Sequence, residues 1–356
     1  MHKSKIRVLV VDDNILIRKV IIDILIAEGN VIIAGEASNG REAIEKTAEL
    51  RPDLITMDIE MPVMGGLEAI ERIMMSTPVP ILVVSSYMDT ETISSVMARG
   101  ALEVVDKPGI STKNGADLLK KVRLLAGVRV TPHLKREKTP LVAKPAVLHP
   151  WIKTAGSPGI VAIAASTGGP PVLADILSQL PGNYALPIVV AQHIANGFAA
   201  GMVTWLNSRS SQEIMKPEDG ATLLPGRVYI APPEYNMEIN EQKRIVLCER
   251  PPNDMYHPSC NALLNSVSRV YGPASVGVIL SGMGNDGVNG MRAIKKAGGI
   301  TIAQDEASCL IFGMPGLAVE SGCIDRVLPP AGIAAELIRL ARHASNCESV
   351  VNGICL

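Results

Sequence analysis

Aromatic residues are scarce in this 356-residue chain: two Trp, two Phe and six Tyr make up 3%, against 47% hydrophobic residues overall. Cores without aromatic bulk must be filled by aliphatic side chains, which favours β-branched parallel strands covered by helices. A charge excess of either sign is also missing, since 34 Lys+Arg against 35 Asp+Glu leave a formal net charge of -1. That balance carries no electrostatic footprint for nucleic acid or an anionic membrane surface. No apolar run approaches the roughly 20 residues that span a bilayer, so membrane insertion is not expected. The amino-terminal MHKSKIRVLVVDD has too short an apolar run for a signal peptide and ends in acids rather than a small-residue cleavage site. Cys248, Cys260, Cys309, Cys323, Cys347 and Cys355 form no CxxC pair and have no histidines at zinc spacing. They read as buried or incidental thiols, and the expected compartment is a reducing cytoplasm. Internal repeats are absent as well.

The length exceeds what one core usually accommodates, so two domains are expected. From residue 6, strand-like runs alternate with amphipathic segments: RVLVVDD, a helix at about 15 to 28, VIIAGEA, REAIEKTAEL, DLITMD, a helix near 66 to 75, ILVVSS, a helix near 90 to 99, LEVVDKP and ADLLKKVRLLAG. Five βα units imply a parallel α/β sheet over residues 1–127, with a helix start at Asn39-Gly40. Residues 128–157 lose periodicity and are rich in Pro and Lys, which reads as an extended linker. A second α/β domain is expected over 158–345, built on GIVAIAAS, PIVVAQH, RVYIAPP, SVGVILSGMG and GITIAQD. Helical patterns follow Gly169, Gly197, Pro258, Gly287 and Pro315. Two strand-like runs around a polar turn at about Asn240 to Lys243 predict an antiparallel hairpin attached to the main sheet. Residues 346–356 form a tail without an assignable motif.

Two clusters carry chemistry. Asp12 and Asp13 close the first strand and Asp58 the third. In a sheet ordered 2-1-3-4-5 these strands are neighbours at the topological switch point, so three carboxylates meet in one crevice. Oxygen-only ligands this close call for a cation, and Mg²⁺ suits them because it keeps waters and also holds a phosphoryl group. Ser85 closes the fourth strand and Lys107 follows the fifth, adding a hydroxyl and an ammonium at the same edge. Each residue alone also reads as an ordinary strand-end or helix-cap residue.

In the second domain Ser166, His193 and Asp286 each follow an apolar strand. If those strands are parallel neighbours, one sheet edge receives a serine, an imidazole and a carboxylate, the constellation of a serine hydrolase. Singly, Ser166 also reads as a phosphate-cradling loop or helix cap, His193 as a structural strand-end histidine, and Asp286 as a helix N-cap. The chain order Ser, His, Asp differs from the α/β-hydrolase, trypsin and subtilisin orders.

VLVVDDN, TMDIEMPVMGG, VVSS and VDKP over residues 5 to 125 resemble the receiver domain of two-component response regulators, a flavodoxin-like fold. The resemblance implies Asp58 as phosphoacceptor, Asp12, Asp13 and Asp58 as Mg²⁺ ligands, Ser85 and Lys107 as switch residues, and a cis Lys107-Pro108 bond. IAASTGGPP, PIVVAQHIANGF, EDGATLLPGRVYIAPP, VGVILSGMGNDGVNGM and GGITIAQDEASCLIFGMPGLAVESG over residues 158 to 342 resemble the catalytic domain of the chemotaxis protein-glutamate methylesterases. That resemblance implies a doubly wound, mostly parallel hydrolase-type domain that demethylates glutamyl esters and deamidates glutamines on chemoreceptors. Ser166 would be the nucleophile, His193 the base and Asp286 its orienter. Thr167 and Met283 would support the oxyanion, and no cofactor is needed for the esterase. A chemotaxis histidine kinase would be the phosphodonor, and the unphosphorylated receiver is expected to cover the cleft. The chain departs from the family pattern at Ala164 (usually Gly), Asn236 (commonly His), His257 (usually Arg) and Asn261, an Asp after PSV in the family. Those departures motivate a competing reading, a non-catalytic regulator or phosphate sink with a degenerate hydrolase domain. A DNA-binding regulator is disfavoured by the lack of a basic recognition helix.

Overall fold

The computed structural model describes residues 5–85, 92, 95, 96, 99, 101–107, 112–126, 158–194, 196–251 and 256–352. The chain divides into two compact units, Met1–Leu141 and Val142–Leu356. The expected linker 128–157 and Pro108, with its expected cis bond, lie outside the described residues, as does most of the helix expected near 90 to 99.

In the first unit β1 (Ile6–Val11), β2 (Val31–Ala37), β3 (Leu54–Met57), β4 (Ile81–Ser85) and β5 (Glu103–Asp106) form one sheet ordered β2-β1-β3-β4-β5. Every pairing is parallel. Val8–Val11, Leu54–Met57 and Ile81–Ser85 are buried throughout, as strands covered on both faces must be. The covering helices are α1 (Ile15–Ile26), α2 (Gly40–Leu50), α3 (Gly66–Ser76) and α4 (Thr112–Leu125). Asn39 caps α2 by accepting from Glu42 N, while Glu42 accepts from Ser38 N and Oγ, a reciprocal cap that fixes the expected helix start.

The second unit opens with β6 (Ile160–Ala165), α5 (Gly169–Leu177), β7 (Ile188–Gln192), α6 (Ala199–Asn207), β8 (Glu213–Met215) and β9 (Arg227–Ile230). A hairpin, β10 (Tyr235–Ile239) and β11 (Ile245–Glu249), follows. Then come α7 (Cys260–Tyr271), β12 (Ser275–Ile279), α8 (Val288–Lys296), β13 (Ile300–Gln304), α9 (Met314–Glu320), β14 (Arg326–Leu328) and α10 (Pro330–Asn352). The seven-stranded sheet is ordered β14-β13-β12-β6-β7-β9-β8 and is parallel throughout. β6 therefore lies between β7 and β12, and the chain winds outward from it in both directions. Ala162, Ala164, Val189 and Ala191 of the sheet pack against Cys260, Leu263, Leu264 and Val267 of α7. α10 runs on to Asn352, into the stretch read from sequence as a tail.

The hairpin corrects one expectation: it forms its own two-stranded sheet rather than joining the main one. Pro232 and Pro233 end β9, and two successive residues without an N–H cannot carry a ladder onward. Tyr235 N donates to Pro232 O and turns the chain away, and Met237, Ile239 and Ile245 dock the hairpin into the core through side chains instead. No described helix is long and apolar enough to cross a membrane.

Candidate active site

Three neighbouring strands, β7, β6 and β12, end on one edge of the sheet, and each hands a side chain to it. Backbone hydrogen bonds lock those ends together: His193 N donates to Ala165 O at 2.9 Å, Ser166 N to Ser281 O at 3.0 Å, and Leu280 N to Ala164 O at 2.9 Å. Ser166 follows β6 and is 7% exposed. Gly168, at φ +79°, turns the chain into α5, and a Cβ there would lie 2.5 Å from Leu310 Cβ. Only glycine meets both demands without strain.

His193 follows β7, and its Nε2 lies 2.8 Å from Asp286 Oδ2. Asp286 is 1% exposed and accepts further bonds from Cys260 N (2.6 Å), Asn261 N (2.9 Å) and Gly287 N (3.0 Å). The first two are the opening amides of α7, so the carboxylate sits on that helix's N-terminus; the cap position of α8 belongs to Gly287. Burial by itself would raise the Asp286 carboxyl. The His193 hydrogen bond and charge, with the Asn261 and Cys260 amides, outweigh it and hold the group below its ordinary value of 3.8. An ionised carboxylate on Nε2 makes that nitrogen the proton carrier and leaves Nδ1 as the basic atom of the ring.

Thr167 is buried and its carbonyl accepts from Ser281 Oγ at 2.8 Å. Met283 follows β12 in the loop Gly282–Gly287. Its N–H meets no acceptor among the described residues, while the preceding Gly282 carbonyl is taken by Met314 N at 2.8 Å. Three contacts at this edge were not read from the sequence. Gln192 Nε2 donates to the carbonyls of both Ser166 (2.8 Å) and His193 (2.9 Å), tying the two backbones together. Tyr256 stacks on the imidazole with ring centroids 5.1 Å apart. Cys260 Sγ lies 3.4 Å from His193 Nε2. In the sequence Cys260 carried no sign of a place in the site and read only as a buried or incidental thiol.

The departures from the family pattern sit around this site. Asn261 Oδ1 accepts from Gly290 N at 2.9 Å, a bond an Asp oxygen would make equally, without a second negative charge beside Asp286. Asn236 Oδ1 accepts from Ser259 N at 2.8 Å and so fixes the start of α7. His257 precedes Pro258 in a cis peptide and its carbonyl accepts from Ile194 N. Ala164 is fully buried in β6.

In the first unit Asp12 and Asp58 are buried, at 0% and 2% exposure, and Asp13 is exposed. One carboxylate oxygen from each lies within 4.8 Å of the others. Lys107 Nζ reaches both buried acids, at 2.8 Å from Asp12 Oδ2 and 2.7 Å from Asp58 Oδ2. Burial raises the Asp58 carboxyl; Lys107 pulls it back and Asp12 adds to the rise, leaving it above 3.8. Burial would lower the Lys107 ammonium, but its bonds to Asp12 and Asp58 raise it above 10.5. Ser85 is buried at the end of β4, and its carbonyl accepts from Lys107 N.

Residues 161–337 match the CheB methylesterase family and residues 8–123 the response regulator receiver domain. A protein-glutamate methylesterase/protein-glutamine glutaminase of Paramagnetospirillum magneticum is 48% identical over 343 residues, covering 95% of this chain and 97% of that protein. One from Myxococcus xanthus is 38% identical over 363 residues, covering 99% of each. The CheB methylesterase catalytic domain of Thermotoga maritima superposes with a TM-score of 0.50 at 37% identity, covering 52% of this chain and all of that domain. The chain therefore belongs to the CheB methylesterase family, with a response regulator receiver domain ahead of the esterase domain.

Proposed function

We propose that Ser166, His193 and Asp286 hydrolyse γ-glutamyl methyl esters, and deamidate glutamine side chains, on chemoreceptors. The observation that carries this is the convergence of three parallel strand ends on one sheet edge, with His193 Nε2 and Asp286 Oδ2 in contact there at 2.8 Å. His193 Nδ1 takes the Ser166 hydroxyl proton as Oγ adds to the side-chain carbonyl. The oxyanion forms beside the Met283 N–H and the Thr167 segment, and a preorganised donor of this kind is worth roughly 3 to 4 kcal/mol. Collapse breaks the ester C–O bond, and Nδ1–H protonates the departing methoxide to methanol, or the amide nitrogen to ammonia. Water then adds to the acyl-enzyme with its proton passing to Nδ1, and release returns the hydroxyl to Ser166 and a glutamate to the substrate. Asp286 stays ionised and offsets the imidazolium charge.

Asp58 is the phosphoacceptor in this reading, and a chemotaxis histidine kinase the donor. Asp12, Asp13 and Asp58 suit Mg²⁺: an all-oxygen donor set, close-spaced, with two members buried beside one lysine. When bound, the ion would supply positive charge that offsets the carboxylates and the phosphoryl group. Lys107 then pairs with the phosphoryl group and Ser85 offers it a hydroxyl.

The test is methanol release from methylated receptor membranes by the full chain, with and without Mg²⁺ and a small-molecule phosphodonor, beside Ser166→Ala. Release that rises with phosphodonor and vanishes in the variant supports both sites. No release from a chain phosphorylated on Asp58 refutes the esterase reading.

A further inference from the structure

His193 Nε2, Cys260 Sγ and an Asp286 carboxylate oxygen lie within 4.8 Å of one another, a nitrogen, a sulfur and an oxygen from three different elements. We infer that these three side chains form an inhibitory site for a thiophilic divalent cation of the zinc class, which captures the general base of the esterase. The inhibitory effect rests on the function proposed above; the binding does not.

Thiolate, imidazole and carboxylate are the three side-chain ligand types of zinc, and three protein ligands with one open position are a familiar set. Tetrahedral zinc with bonds of about 2.3 Å to sulfur and about 2.0 to 2.1 Å to nitrogen and oxygen places N and S about 3.6 Å apart and N and O about 3.4 Å apart. The corresponding separations here are 3.4 Å for Nε2–Sγ and 2.8 Å for Nε2–Oδ2. Opening the N–S separation by about 0.2 Å and the N–O separation by about 0.6 Å admits the ion. Asp286 tolerates that movement, because the amides of Cys260, Asn261 and Gly287 still hold its carboxylate once Oδ2 leaves the imidazole. Such bonds to ligand oxygens are what orients a metal site. The His193 side chain is 13% exposed, whereas Asp286 and Cys260 are closed off, so the ion enters from the imidazole side and its fourth position faces there.

The Cys260 thiol loses its proton to solvent as the metal–sulfur bond forms. The imidazole proton moves from Nε2 to Nδ1, and the freed Nε2 lone pair binds the ion. Nδ1, the atom that would accept the Ser166 proton, is then occupied, so the base is disabled without a change in fold. The all-oxygen set Asp12, Asp13 and Asp58 suits a hard cation instead, so the two clusters sort cations by softness.

The test uses the full chain with Co²⁺ as a spectroscopic probe. Bound at Cys260, it gives a thiolate-to-cobalt charge-transfer band that Zn²⁺ displaces. The band is expected in the wild type and in Ser166→Ala, and lost in Cys260→Val. Zn²⁺ should inhibit methanol release reversibly with EDTA, and Cys260→Val should need at least about tenfold more Zn²⁺ to halve its own metal-free rate, since even outer partners of a metal site are worth that factor. Cys260→Ser, which keeps the size of the side chain, gives the same reading if the valine variant fails to fold. A band or an inhibition constant unchanged by both substitutions overturns the site, as does the absence of a band at saturating Co²⁺. Methanol release by Ser166→Ala with the band intact instead overturns the proposed triad and leaves the metal site standing.

Discussion

At the scale of single residues, Asp286 joins the chemistry to the fold. Its carboxylate holds the Nε2 proton of His193 and also receives the first two amides of α7. Asp286→Asn keeps an acceptor for the amides but turns an NH₂ toward Nε2, which forces the ring proton to Nδ1, the tautomer that cannot accept from Ser166. A fall in kcat of two orders or more is expected, with the far-ultraviolet circular dichroism unchanged. Ser166→Ala and His193→Ala should lose at least as much, because the proposed nucleophile and base act directly. The same carboxyl sets an acid limit on stability. Its folded pKa is below its unfolded value of 3.8, so its contribution is complete above 3.8 and disappears as pH falls through the folded pKa. Denaturation midpoints measured between pH 5 and pH 3 should therefore fall less steeply in Asp286→Asn than in the wild type. The placement of Ser166, His193 and Asp286 at one sheet edge was legible in the sequence because each follows an apolar run that forms a strand. Cys260 and Tyr256 were not, because they reach His193 only once α7 and its preceding loop fold back over β6 and β7.

At the scale of elements, glycines mark where two pieces of backbone must nearly touch. A Cβ on Gly169 would lie 2.2 Å from Gln192 Oε1. Gln192 bridges the Ser166 and His193 carbonyls, so Gly169→Ala pushes that bridge out of register. The expected result is a lower kcat with a smaller change in KM, and a stability loss of about 1 to 3 kcal/mol from overpacking, read by urea denaturation. A Cβ on Gly66 would lie 2.0 Å from the Asp58 carbonyl oxygen, against backbone that has little room to yield. Gly66→Ala should slow phosphorylation of Asp58, measured with a radiolabelled phosphodonor, and leave the unphosphorylated esterase rate in place. The long central strands and their helices were readable from hydrophobic runs and breakers. The edge strands β8 and β14, three residues each, were not, since so short a run carries no period. The hairpin was readable as a hairpin, but its separation from the main sheet depends on the Pro232-Pro233 break, whose consequence is tertiary.

At the scale of the whole molecule, the receiver cluster poses a charge problem that phosphorylation sharpens. Asp12 and Asp58 are buried together, and Lys107 pairs with both. A phosphoryl group on Asp58 exchanges one negative charge for about two. Lys107 cannot neutralise that and Asp12 together, so in the function proposed above the phosphorylated state depends on a cation held by Asp12, Asp13 and the acceptor. Chelating Mg²⁺ should therefore abolish the rise in methanol release caused by phosphodonor while sparing the rate measured without it. Asp58→Asn should lose the same response, because the amide cannot form the acyl phosphate. Lys107→Met separates capture from signalling: if the lysine reads the phosphoryl group, this variant still accepts phosphate on Asp58 yet gives little activation. An equal activation in Lys107→Met would place the readout elsewhere in the receiver and reduce Lys107 to a counter-ion for two buried acids.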